Sequence, residues 1–501
     1  MNLNRKEYLS KVAGCWMGKN IGGTVGAPFE WKRQVNDITF YTQKLDGEPE
    51  PNDDLDIQLL WLLAMEREGV KLDARTLGEY WLSYVVPHWA EYGNGKINMR
   101  SGLMPPLSGS ANNAFKDSCG SYIRAEIWSC VCPGAPERAV QYAVEDSAID
   151  HGDGEGTYAE IFTAAMESAA FVENDLRKLI DIGLHYIPAE CAVAGAVRLA
   201  VECYDKGVTW LEARDEMLRQ YRGMGFYGHP NHVSPEDHAK GFFDGKLGFD
   251  VPSNIGIVII GLLYGEGDFE KMMCVTVNCG EDTDCTAATA GSIYGIMNGI
   301  EGIPEKWIAP IGNSIKTITL NLADWWNVPR TIDNLTERTA KMAERVIDTF
   351  QLPVTLTDGE TDLNGDLRQL LYADTSRLFE NLGCVTFTFD PVDAAVDYAG
   401  NPYMTEGSPR EITVYLENKS CAQCNLDVHV YADENVAIGP SAYGTVFLGT
   451  SFQDRKKAVK LTFTAETLCT AEVRAVVQLT CKGRHTAMLI PILFLNGAYN
   501  A

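Results

Sequence analysis

From residue 5 to about 350, apolar positions recur every three or four residues in runs of helical length, broken by clusters of Gly, Pro and Asn. The clearest runs span 76–86, 157–171, 175–186, 191–204, 208–221 and 334–350. Period-two alternation is rare among them, so this part of the chain is predicted to be all-α. A polar stretch at 355–366, rich in Asp, Thr and Gly, changes the pattern. Beyond a further helical run at 367–382 lie short β-type runs at 384–389, 411–416, 426–431, 457–463, 471–479 and 486–494, separated by turn residues. That spacing predicts an antiparallel sandwich. The expected organisation is multidomain: an all-α domain over 1–355, a linker and helix over 356–375, and a small all-β sandwich over 376–501.

Length and composition agree with an ordinary globular protein of more than one domain: 501 residues, 46% hydrophobic and 22% charged. Sixty-eight acidic residues against 42 basic ones give a formal net charge of -26, and no Lys/Arg cluster offers a local exception. Such a field repels phosphate backbones and anionic bilayers, so neither a nucleic-acid nor a membrane partner is expected. Arg5, Lys6, Glu7 and Lys11 interrupt any signal-peptide core, and the longest apolar run, 255–264, is too short to span a bilayer. The chain reads as cytoplasmic. Fourteen cysteines are too few for a disulfide scaffold. The close pairs Cys130/Cys132 and Cys421/Cys424 lack a second pair at zinc-site spacing, so they read as free thiols.

Candidate chemistry sits in two acidic clusters more than two hundred residues apart. The first is Asn52-Asp53-Asp54-Leu55-Asp56, followed by the apolar run of Ile57, Leu59, Leu60, Leu62, Leu63 and Met65. The second, Glu281-Asp282-Thr283-Asp284-Cys285-Thr286, opens a small-residue helix with Gly at 291, 295 and 299. Acidic residues at helix starts also serve as caps. Two oxygen-rich loops on buried helices could equally converge on a hard divalent cation. A third element repeats Gly at 14, 18, 22 and 26 and ends in Glu30, just after Pro28. Glycines four apart share one helix face, where another backbone can approach closely.

In order and spacing these segments resemble the ADP-ribosylglycohydrolase family over residues 8 to about 310. The carrying features are the Gly-spaced first helix ending in Glu30, the Asn52-Asp53-Asp54 motif, Gly120-Ser121-Tyr122-Ile123-Arg124, the His151-Gly152 segment before a central helix, and Asp282-Thr283-Asp284 running into an Ala/Gly-rich helix. Two positions depart from the family pattern: Asn52 stands where a hydroxyl is usual, and Cys285 where a threonine is usual. The resemblance implies magnesium, one or two ions with manganese as the other choice, held by Asn52, Asp53, Asp54, Asp282 and Asp284. A thiol suits softer metals, which favours a single firmly held ion.

What the resemblance further implies is metal-assisted hydrolysis of a ribosyl glycosidic bond, releasing ADP-ribose from an ADP-ribosylated acceptor. Glu30 and Asp284 take the catalytic positions, with Gly120, Ser121, Arg124, His151 and Asn112 binding substrate. The loops expected at the pocket also carry Trp89, Tyr92, Asn94, His229 and His232, but beyond Arg100 and Arg124 they hold no basic set for a diphosphate. A neutral small glycoside or nucleoside is therefore the first alternative, and a non-catalytic ligand-binding homologue the second. A phosphatase reading of Asp282-x-Asp284-x-Thr286 fits poorly, because that loop belongs after a strand of a parallel sheet. For the sandwich, carbohydrate binding through Tyr398, Tyr403, Tyr431 and Tyr443 stands beside dimerisation or buttressing. The oligomeric state stays open.

Overall fold

The glycine stripes meet. In the computed structural model, which describes residues 1–225, 232–322, 327–364, 367–451 and 454–499, helix α1 (Arg5–Gly26) packs antiparallel on a late helix, Thr283–Asn298. A Cβ added at Gly18 would fall 2.0 Å from the Gly291 carbonyl oxygen, one at Gly22 2.2 Å from that of Ala287, and one at Gly295 2.0 Å from that of Gly14. The helices therefore touch backbone to backbone. This brings the end of α1, and with it Glu30, to the start of the partner helix, where Asp282 and Asp284 sit.

Helix α2 (Asp53–Glu68) is buried almost all round from Asp54 to Met65. Its Trp61 ring stacks between Trp81 and Trp128, and the indole nitrogen donates to Asp146 Oδ2 at 2.8 Å. Asn52 caps the helix by accepting from the Asp54 amide at 2.7 Å, which fixes the first turn that carries Asp53, Asp54 and Asp56. The next elements used below are α3 (Ala90–Arg100), the central buried α4 (Glu155–Ala170), and α5 (Thr283–Asn298), the partner of α1. The predicted helical runs all appear with ends shifted by a few residues, except that 367–382 is helical only over Leu367–Leu371. There Asp374 accepts from the Ser376 amide at 2.9 Å, a local bond that favours turns over a continued helix. Asn2–Asn4 pairs in parallel with Thr355–Thr357, a contact between distant segments that periodicity could not reveal.

Among the described residues ten strands form the sandwich: β1 (Val385–Thr388), β2 (Val392–Asp397), β3 (Tyr403–Met404), β4 (Arg410–Asn418), β5 (Cys424–Ala432), β6 (Val436–Gly439), β7 (Tyr443–Leu448), β8 (Lys456–Ala465), β9 (Glu472–Cys481) and β10 (Ala487–Asn496). One sheet runs β6-β8-β4-β2-β1 and is antiparallel; the other runs β7-β5-β9-β10-β3, with only the short β10–β3 pairing parallel. Strands β2, β3, β6 and β7 lie outside the predicted runs. β2 is buried on both sides at Ala394–Val396 and lacks alternation, while β7 is an edge strand with most residues exposed. The sandwich core takes in Leu103, Leu107 and Ala111 from the helical region, so the two parts share an apolar interface. Tyr398 belongs to that core, whereas Tyr431 and Tyr443 are exposed. Among the described residues no helix is long and apolar enough to cross a membrane.

Gly18→Ala is expected to lower unfolding free energy by about 1–3 kcal/mol, because the added methyl has only backbone to displace. The exposed control Gly359→Ala, whose Cβ would meet only Thr357 Oγ1 at 3.5 Å, should stay within about 0.5 kcal/mol. Denaturant unfolding of the two variants measures the difference.

Candidate active site

The loop after α1 is welded to the loop before α5. Trp31 donates its amide to the Glu281 carbonyl at 2.8 Å, and Glu281 adopts φ 69° to receive it. Beneath them Arg33, fully buried, donates to the Gly223 carbonyl at 2.7 Å and to Asp244 at 2.8 Å, and lies 3.4 Å from Glu281. Arg222 also bonds Glu281. Burial opposes the charge of Glu281, but the two arginines hold its carboxyl below the ordinary range. Glu281 is therefore a framework residue within the acidic cluster. Asp56 is another: its Oδ2 accepts from the amides of Ile318 and Thr319.

The remaining acids converge. Oxygens of Glu30, Asp282 and Asp284 lie within 4.8 Å of one another, as do those of Asp54 and Asp284 with the Cys285 sulfur. Asp54 Oδ2, Asp282 Oδ1 and Asp284 Oδ1 are buried without a hydrogen-bond partner. Burial, then Asp284, pushes the Asp53 carboxyl up to about 6. Glu30, whose side chain is exposed at the cavity, is pushed up to about 9 chiefly by the facing Asp284. Asp54, Asp282 and Asp284 are raised as well, chiefly by burial. The nearest countercharge is Lys19, 3.7 Å from Asp54 Oδ2 and 2.6 Å from Glu126. Orphaned carboxylate oxygens crowded against one another fit a hard divalent cation, whose charge would let them ionise together.

One expected ligand, Asn52, and the neighbouring Cys285 meet the cluster in other ways. Asn52 accepts one bond with its carbonyl oxygen at the α2 cap and turns its nitrogen to Asp284 Oδ2 at 3.1 Å, so it is placed as a donor to a candidate ligand. Cys285 donates its thiol to Asp54 Oδ1 at 3.4 Å, and burial keeps that thiol protonated. It packs against the cluster as a neutral group.

A cavity of about 390 Å³ opens over the cluster, lined by Glu30, Trp31, Asn52, Asp53, Asp282 and Asp284 on one side and by Trp89–Tyr92, Ser118–Gly120, Asp250 and Ile318 elsewhere. Of the substrate-binding residues expected from sequence, only Gly120 lines it. Ser121 is buried, donating to the Gly156 carbonyl at 2.6 Å. Arg124 is fully buried between Asp146, at 2.8 Å, and Asp150, at 2.7 Å, beneath the Trp81 ring. His151 is buried with Nδ1 2.9 Å from Asp150. Asn112 is exposed outside the cavity lining, at φ 48°. None of these four lines the cavity: Arg124 is committed to Asp146 and Asp150, because a charge so deep must be paired, and His151 to Asp150. Arg100 is exposed on His88, His229 lies outside the described residues, and of His232 only its backbone is described.

Sequence reasoning missed Lys19, Glu91 and Asp250. Lys19 carried a signal, a lone cation inside a Gly-rich apolar helix. Glu91 and Asp250 carried none. A second cavity, of about 270 Å³ between the helical region and the sandwich, shares no residue with the cluster.

A family model described as ADP-ribosylglycohydrolase matches residues 4–344. The chain belongs to the ADP-ribosylglycohydrolase family. Its general chemistry is hydrolysis of a glycosidic bond, and the family is typically metal-dependent. Among solved structures, the crystal structure of a FixG-related protein from Vibrio parahaemolyticus matches 22% of this chain and 98% of that one, at 16% identity and a TM-score of 0.18. No curated protein matches.

Carboxyls raised by folding keep protons that the unfolded chain has released, so their contribution to stability is full below about pH 4 and fades as pH climbs through about 6 for Asp53 and about 9 for Glu30. The metal-free protein should therefore melt progressively lower from about pH 5 to about pH 9. Magnesium at about a hundred times its Kd should add about 2–3 kcal/mol near pH 8 and much less near pH 5. Differential scanning calorimetry with and without magnesium measures both trends.

Proposed function

We propose that this protein is a divalent-cation-dependent hydrolase of a small uncharged glycoside or nucleoside. The observation that carries this reading is the sign of the cavity. Its described lining holds six carboxyl residues, Glu30, Asp53, Glu91, Asp250, Asp282 and Asp284, and no Lys, Arg or His. A diphosphate would meet repulsion there, whereas a neutral sugar meets hydrogen-bond acceptors for its hydroxyls.

Asp53, Asp54, Asp282 and Asp284 would hold magnesium or manganese. When bound, the ion supplies Lewis acidity and the positive charge that lets these neighbours ionise together. Glu30, then relieved of the repulsion that raises its pKa, acts as general base: it takes a proton from a water whose oxygen bonds the anomeric carbon as the glycosidic bond breaks. The leaving group departs with that bond's electron pair and takes the proton that Glu30 removed from the water, which returns Glu30 to its carboxylate form. Positive charge developing on the sugar is stabilised by the surrounding carboxylates. Tyr92 donates to Asp53 Oδ2 at 2.9 Å and Thr283 to the Gly26 carbonyl at 2.8 Å, so the acids are held in place before substrate arrives. A second reading, release of ADP-ribose from an ADP-ribosylated acceptor, is supported by the family match over 4–344.

A panel of neutral nitrophenyl glycosides and nucleosides, run beside an ADP-ribosylated arginine or serine peptide, with magnesium and then with EDTA, separates the readings. Magnesium-dependent cleavage of a neutral compound is expected; ADP-ribose release alone would establish the second reading, and activity that survives EDTA would remove the metal. Glu30→Gln should keep magnesium binding by calorimetry yet lose turnover by about 10²–10⁴-fold. Asp284→Ala should lose both, since Asp284 belongs to both acidic groups.

A further inference from the structure

Glu91 is a cavity-facing carboxyl outside the acidic cluster. It stands in the first turn of α3, is 7% exposed, and takes part in none of the described salt bridges. Gly120 makes room for it: a Cβ at 120 would lie 2.0 Å from Glu91 Oε1. The glycine expected to bind substrate thus admits a carboxyl group to the cavity wall. Ser118 hydrogen-bonds the Glu91 carboxyl, and a carboxyl held at the wall of a ligand-sized cavity keeps further acceptor capacity for a hydroxyl that enters.

The mouth has the opposite character. Trp89, 44% exposed, and Ile318, 57% exposed, both line the cavity, and the neighbouring Val86 is 53% exposed. The Val86 amide donates to the Thr319 carbonyl at 2.7 Å, so the two rim segments are joined. Trp89 stacks on Tyr92 at 6.3 Å between ring centroids, with 26° between the planes, and Tyr92 in turn bonds Asp53. Ala90 is held at φ 33°, a backbone conformation that an L residue adopts only where its surroundings impose it. The indole is therefore a braced surface at the entrance, linked through one ring to the acidic cluster.

We propose that the cavity selects a glycoside with a flat, apolar aglycone, the Glu91 carboxyl hydrogen-bonding a sugar hydroxyl inside while Trp89 and Ile318 cover the aglycone at the mouth. This rests on the neutral-glycoside reading and names its substrate class. Glu91, Trp89 and Ile318 are specificity residues. The acidic cluster carries the bond cleavage.

The test compares nitrophenyl with methyl glycosides of one sugar, and that sugar with its mono-deoxy analogues, on the full chain with magnesium. The intact protein should prefer the nitrophenyl compound in kcat/KM, and Trp89→Ala should cut that preference by about three- to tenfold. Glu91→Ala should raise KM about 10–100-fold for the parent sugar and much less for the one deoxy analogue that lacks the bonded hydroxyl, with Glu91→Gln recovering part of the loss. If Glu91→Ala fails to fold by circular dichroism, Glu91→Gln with the deoxy series and Trp89→Ala with the nitrophenyl-to-methyl ratio carry the test. Equal turnover of nitrophenyl and methyl glycosides, or a Glu91 effect uniform across the deoxy series, overturns the inference while leaving neutral-glycoside hydrolysis standing. Cleavage of the ADP-ribosylated peptide alone overturns the underlying reading instead.

Discussion

The contact between α1 and α5 is what the rest of the helical region depends on. Two glycine stripes let the backbones touch, and the nearest atoms to several of those glycines are carbonyl oxygens and peptide carbons of the other helix. Glycine weakens an isolated helix by about 0.5–1 kcal/mol per residue relative to alanine, so such a pair is stable only because each helix is sheathed by others. The gain is positional. A wider spacing would carry Glu30 away from Asp282 and Asp284, and the acidic groups would cease to share one space.

Charge pairing organises the next shell. Lys19 sits between Asp54 and Glu126, Arg33 and Arg222 hold Glu281, Arg214 pairs with Asp237 at 2.7 Å, and Arg124 spans Asp146 and Asp150. Each of these cations is buried and committed to framework carboxylates. A pair this deep is costly to break, since removing one partner leaves a charge without water or counter-ion. The basic residues of the region are thus used up beneath the cavity. Its surface is left to uncompensated acids, the physical root of both the cation fit and the argument against a diphosphate.

The sandwich shares its apolar core with Leu103, Leu107 and Ala111, in the segment between α3 and the Gly120 wall. Its contact with the helical region therefore lies one loop away from residues that line the cavity. Buttressing of that loop is the role this geometry favours over sugar binding by Tyr398, which is core. The exposed Tyr431 and Tyr443 flank His429 on adjacent strands and are unconnected to the cavity lining.

Helical periodicity, glycine spacing and the two acidic motifs are local properties of the chain, and they were enough to determine an α region before a β region, the family, and convergence of Glu30, Asp54, Asp282 and Asp284. Strands β2, β3, β6 and β7 escaped because burial on both faces, short length or an edge position erases alternation. The reversal of Arg124 and His151 from pocket residues to framework had the same kind of cause: their motif fixes which residues are present, while the carboxylates facing them come from elsewhere in the fold. Asn52 was legible as a cap or as a ligand, and only the position of Asp284, 232 residues on, settled which atom it turns to the cluster. Glu91 and the rim of Trp89 and Ile318 had no pattern at all. What the sequence determined by itself is whatever one helix face or one loop encodes. What only the tertiary structure decided is which charges meet partners and which are left facing the cavity, because burial and pairing depend on every element packed around a side chain.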